Sequence, residues 1–355
     1  MRPRYRCAVS SLLLPSFLTR LADPEIRNVL LCGCGGGFDF VHALLLFPEL
    51  QRLGKRVVIG SNSFGQPTDI DGGTTVFDVD GVVAKRVNAR CRAPRHYGPE
   101  VHICAFLDER DAAGAPHEVY AWYARAFTVP LLRQLYEQLI AEHDIDAVVL
   151  VDGGSDSLMA GDEEGLGDPI EDAVSVATVA SLPGLMAKLL LTVGLGSDRF
   201  NHVSDAASLR AVAELTDRGA FLGAVGIEPG SEGFELYASC LAHVDARQSF
   251  RSVLASNIRA AVRGGFGPAG SAARATDSIF LWPLMAMVFA FDVDRVAERS
   301  LMVRWLRECA TVLDCHLAVE RGRRDLGDRL RPVEELPLHS EWRGRHEHPW
   351  RRGGR

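Results

Sequence analysis

Six short, almost wholly apolar runs recur along the chain, and each gives way to a helical pattern. They are "NVLLCG" (28–33), "RVVIGS" (56–61), "DAVVLVDGG" (146–154), "KLLLTVGLG" (188–196), "FLGAVGIEPG" (221–230) and "MAMVFAFD" (285–292). Their hydrophobicity is continuous rather than alternating, which is how a strand reads when both faces of its sheet are covered. Helical stretches near 38–53, 118–143, 170–182, 204–217, 231–262 and 293–310 fill the intervals. This alternation predicts an α/β chain: a doubly wound, mostly parallel sheet with helices on both faces.

Three regions depart from the pattern. Residues 1–26 place basic residues ahead of an apolar stretch broken by Pro15, without a small-residue cleavage site, so an N-terminal helix is expected there rather than a targeting signal. Residues 68–117 carry "GGTTVFDVDGVVAKRV" and "EVHICAFLDE", which read as short strands with Gly and Asp turns, a β-rich insertion. Residues 319–355 are polar, arginine-rich and aperiodic, and are expected to form a disordered tail. A single domain over 27–318 is left between them.

Composition excludes several classes. The net charge of −7 gives no field to draw nucleic acid. No stretch reaches the roughly 20 apolar residues that span a bilayer. The basic residues are almost all arginine, with lysine only at 55, 85 and 188, which disfavours Schiff-base chemistry. The eight cysteines fit no zinc spacing and read as reduced core thiols, which points to the cytoplasm. No GxSxG elbow or HExxH helix is present, so hydrolase and zinc-protease templates fail. The expected partner is a small-molecule ligand, without nucleic acid or membrane, and a homo-oligomer is compatible with the sequence.

Two stretches carry chemistry. The first strand runs into Gly33, Gly35, Gly36 and Gly37 before a helix predicted from Phe38. Four glycines exceed what a tight turn needs, so the loop reads as a ligand cradle at a helix start. Its spacing approximates both the first motif of S-adenosylmethionine-dependent methyltransferases and a dinucleotide fingerprint. Both usually place an acid after the second strand to hold ribose hydroxyls, where this chain has Ser61, Asn62 and Ser63, and Ser61 and Asn62 join the expected ligand-binding residues. A Walker-type lysine is missing as well.

The second stretch is "VDGGSDSLMAGDEEGLGDPIEDA" (151–173). A strand delivers Asp152 to its carboxyl end, followed by Gly153, Gly154, Asp156 and Ser157, then Asp162 and Glu163. Carboxylates gathered there can bind Mg²⁺, hold hydroxyls or act as a general base. Asp152 and Asp156 are the expected metal ligands, and Asp152, Asp156, Asp162 and Glu163 the expected catalytic acids. Glu164, Asp168 and Glu171 are expected to be structural. A further loop, "GLGSDRFNH" (194–202), adds Gly196 to the ligand-binding set, while His202 reads as structural.

"GCGGGFDFVHA", "VDGGSDSLMAGDEEGLGDPIEDA" and "LTVGLGSD" together resemble a mainly prokaryotic family known as a domain of unknown function, number 1152. The resemblance covers roughly residues 27–300. It implies a Rossmann-like fold and points to Gly35, Gly36, Gly37 and Asp39 in the first motif. In the second it points to Asp152, Gly153, Gly154, Asp156, Ser157, Leu158, Gly161, Asp162 and Glu163. Three functions fit these readings. The first is an enzyme that binds a nucleotide-like or phosphorylated small molecule and performs carboxylate- or Mg²⁺-assisted group transfer or hydrolysis. The second is a methyltransferase, opposed by the missing ribose acid. The third is a non-catalytic sensor.

Overall fold

The computed structural model describes residues 14–111, 114–271 and 274–333. After a short helix α1 (Ser16–Leu21), the apolar runs form β1 (Asn28–Gly33) and β2 (Arg56–Ser63), joined by α2 (Asp39–His42), a 3-10 turn and α3 (Phe47–Arg52). The hairpin β3 (Thr74–Val79) and β4 (Val82–Asn88), helix α4 (Pro99–Arg110) and β5 (Glu118–Tyr123) follow. Next come α5 (Val129–His143), β6 (Ala147–Asp152), α6 (Pro169–Ser181), β7 (Ala187–Val193), α7 (Asp205–Asp217) and β8 (Phe221–Gly226). Helices α8 (Glu232–Asp245) and α9 (Val253–Val262) lead to a separate two-stranded ribbon, β9 (Gly267–Ser271) and β10 (Arg274–Leu281). The described chain closes with β11 (Met287–Asp292), α10 (Val293–Arg299), α11 (Leu301–Leu306) and α12 (Val312–Leu326).

Nine strands make one sheet in the order β3-β4-β5-β2-β1-β6-β7-β11-β8. The central five, β5-β2-β1-β6-β7, are parallel to their neighbours, and the outer pairings are antiparallel. The continuous hydrophobicity of the strands has a direct cause. Val29, Leu31, Val149, Val151, Leu189 and Leu191 pack into a core on one face, against α1, α2, α4 and α8. Leu30, Cys32, Val148, Leu150 and Leu190 pack on the other, against α5, α6, α7 and α10–α12. Burying one such side chain stabilises the fold by about 1.5–3 kcal/mol. The seven described cysteines are buried and free, as expected of core thiols.

Four expectations change. The helix predicted from 118 begins with a strand, because the aromatic and β-branched "EVYAWY" fits a half-built sheet edge and pairs β2 with β4. β11 is antiparallel, since it starts beside Val193 at the carboxyl end of β7 and runs back from there. The insertion at 68–117 is only partly β: the β3–β4 hairpin extends the sheet, but 99–110 is helical. The tail predicted from 319 is ordered through Val333. Helix α12 continues to Leu326, and Arg331 then reaches back to the body of the protein. Arg331 finds the carboxylates of Asp162, Glu163 and Glu214 there, and Arg323 donates to the carbonyls of Gly161, Glu163 and Glu164. Residues 334–355 and 1–13 lie outside the described residues.

Candidate functional site

Strand β1 stands between β2 and β6, and the chain leaves it towards β2 on one face while β6 proceeds to β7 on the other. That is the switch point where doubly wound sheets open a crevice at the carboxyl ends of their strands. A cavity of about 840 Å³ lies there, lined by both sequence motifs, including Gly35, Gly36, Asp39, Asp152, Gly153 and Asp156.

Five aspartates converge on this cavity, each delivered by a turn after a central strand. Asp39 opens α2 after β1, Asp152 is the last residue of β6, and Asp156 opens the 3-10 turn that follows. Asp172 lies in the first turn of α6, and Asp198 in the 3-10 turn after β7. All five are buried. Most of their hydrogen bonds come from nearby backbone: Asp39 accepts from Gly35 N at 2.8 Å and Gly153 N at 3.1 Å, Asp198 from Ser155 N at 2.6 Å, and Asp156 from Asp168 N at 3.1 Å. Asp152 accepts from the backbone N and the hydroxyl of Ser157. Asp172 Oδ1 has no hydrogen-bond partner among the described residues, although Asp172 is only 3% exposed.

Two glycines owe their identity to these carboxylates. A Cβ on Gly35 would stand 2.6 Å from Asp172 Oδ2 and 2.9 Å from Asp39 Oδ2, and one on Gly154 would overlap the Asp198 carboxylate. The loop that reads as a phosphate cradle therefore makes room for acids. Its Gly35 N–H is already taken by Asp39, and α2 spans only four residues.

Burial pushes all five carboxyls above the ordinary range, and their mutual repulsion pushes four of them further. Asp152 rises from 3.8 to about 6, with burial as the cause. Among the described residues none of the five forms an ion pair, and the nearby Arg125 is engaged by Glu171 at 3.0 Å and lies over the Phe64 ring. One oxygen each from Asp39, Asp152 and Asp172 lies within 4.8 Å of the others, a spacing that can hold a metal ion. This set keeps Asp152 from the sequence reading, adds Asp39 and Asp172, and leaves Asp156 beside it.

The remaining predicted residues scatter. Asp162 and Glu163 are held away from the cavity by Arg331, at 2.6 and 2.7 Å, and Glu163 also faces Arg299 at 3.6 Å. These pairs tie the α10–α12 region to the acidic loop, and neither residue, expected to be catalytic, lines the cavity. Ser61 donates to Glu100 at 2.8 Å, and Asn62 to Cys34 O at 3.3 Å, and neither lines the cavity. Gly33 ends β1, Gly37 donates its N–H to Asn62 O at 2.9 Å, and the Phe64 ring covers Gly36. Ser157 positions Asp152, while Gly196 turns against Trp282, outside the lining of the cavity. Asp168 and Glu171, expected to be structural, line the cavity. Asp172 and Asp198 were missed. Asp172 sits inside a helical pattern, and Asp198 in a loop from which the sequence singles out Gly196 and His202.

Fold and site together define an α/β protein of the doubly wound class with a carboxylate-lined crevice at its switch point. The sequence matches the family described as "Protein of unknown function (DUF1152)" over residues 30–322, and the chain belongs to that family. No curated protein and no solved structure matches it. Among the described residues, no helix is long and apolar enough to cross a membrane.

Proposed function

We propose that this chain is a divalent-cation-dependent enzyme that acts on a phosphorylated small molecule by group transfer or hydrolysis. The observation that carries the reading is the convergence of Asp39, Asp152 and Asp172, with no ion-pair partner among the described residues. Buried carboxylates at such spacing must be neutralised, either by protons or by a cation, and Mg²⁺ binds through just such oxygens. The lining that these acids share with other residues supports an anionic substrate. Arg251 and the first turn of α9 belong to it, and the start of a ten-residue helix presents N–H groups that its own backbone does not bond. With a cation on the three aspartates, Asp156 and Asp198 remain beside it, and Asp156 is placed to give or take a proton.

Mn²⁺ serves as the probe. Electron paramagnetic resonance of the purified chain titrated with Mn²⁺ is expected to show one bound ion, lost in Asp172→Asn. Absence of bound Mn²⁺ in the unmodified chain at pH 8 would refute the reading.

A further inference from the structure

A second cavity of about 260 Å³ adjoins the first and shares Phe64, His96 and Tyr123 with it. Its remaining wall includes Ser63, Tyr97 and Glu100. Glu100 is 1% exposed. It lies in the first turn of α4, accepts a hydrogen bond from Ser61 Oγ through Oε1, and has no partner for Oε2 among the described residues. No basic side chain pairs with it among the described residues, and although the Ser63 hydroxyl lies near the carboxylate, Oε2 makes no hydrogen bond there, an arrangement that costs stability unless a donor is supplied.

The position of this acid is informative. Ser61 and Ser63 are the end of β2, where doubly wound nucleotide-binding sheets keep an acid for sugar hydroxyls. The strand itself has none, and α4 brings one to the same place from about forty residues downstream. The cavity is smaller than the ~300–1,000 Å³ that encloses a whole drug-sized ligand, and so suits one ring of a ligand that continues into the larger cavity.

We propose that this cavity is the sugar-hydroxyl subsite of the crevice: hydroxyls of a sugar phosphate, free or as part of a nucleotide, donate to Glu100 while the phosphate lies in the larger cavity. The phosphate half rests on the reading given under Proposed function; the hydroxyl half stands on Glu100 and its cavity.

The test is calorimetric, on the full chain with Mn²⁺, using ribose 5-phosphate against 2-deoxyribose 5-phosphate and AMP against 2′-deoxy-AMP. Loss of the hydroxyl is expected to weaken binding at least about tenfold, because it leaves a buried acceptor unpaired. Glu100→Gln is expected to remove that discrimination without changing Mn²⁺ affinity. Hydroxyl dependence in either series supports the proposal, and the tighter series identifies the source of the sugar. Equal binding of hydroxylated and deoxy ligands overturns it, as does inorganic phosphate binding as tightly as the sugar phosphates. The comparison on the unmodified chain decides the matter even if Glu100→Gln does not fold. Adenosine against 2′-deoxyadenosine, without metal, separates the two readings: discrimination there preserves the subsite even where Mn²⁺ fails to bind.

Discussion

Replacing Asp152 by Asn should stabilise the metal-free protein at pH 8. Asp152 is buried, and its carboxyl is raised from 3.8 to about 6. Between those values the folded chain holds a proton that the unfolded chain has released, so stability falls as pH rises through this window and stays lower above it. At about 1.4 kcal/mol per pKa unit, keeping this group charged at pH 8 costs the fold about 3 kcal/mol. Asparagine removes the charge and keeps an oxygen for Ser157, at a loss of about 1 kcal/mol for the weaker hydrogen bonding. The net gain is about 2 kcal/mol, which for a chain of 355 residues corresponds to roughly 3 °C in Tm. Differential scanning calorimetry with chelator present, at pH 4 and pH 8, reads it directly. The gain should appear at pH 8 and vanish at pH 4, where the native carboxyl is already protonated. A variant less stable than the parent at pH 8, or a difference independent of pH, would refute the reasoning.

Further expectations follow from the same geometry. Mg²⁺ at a hundredfold excess over its Kd should stabilise the unmodified chain by about 2.7 kcal/mol, and by less at pH 5, where protons compete for the raised carboxyls; thermal melts with and without Mg²⁺ check this. Asp172→Asn should abolish that shift. Asp156→Asn should keep most of it, and its own Tm should be unchanged or higher, since it relieves a repelled buried charge, while turnover of a phosphorylated substrate is lost. Arg299→Ala should destabilise by about 1–3 kcal/mol in denaturant melts and leave Mn²⁺ affinity unchanged, because it removes the buried guanidinium that donates to Leu158 O and Glu214 outside the cavity, while Arg331 still holds Glu163.

Some of the site was legible because local sequence dictates it. A strand that ends in an acid and glycines must place that acid at the sheet's carboxyl edge, so the sequence alone puts Asp152 and the loop after β1 on one edge. Burial on both faces writes continuous apolar runs, so the central parallel strands could be read as well. What decided the roles was not local. Asp162 and Glu163 look as acidic as Asp152 and Asp156 in one dimension, and only Arg299 and Arg331, more than a hundred residues away, remove them from the crevice. Gly35 reads as backbone freedom for a ligand until Asp172 is seen in the space a Cβ would need. The acid missing after β2 arrives as Glu100 on α4, and β11 reverses direction without any change in its hydrophobic pattern. Periodicity reports how each segment is covered. Which carboxylate meets an arginine and which lines a cavity depends on distances between segments, and those are set only when the sheet closes its order.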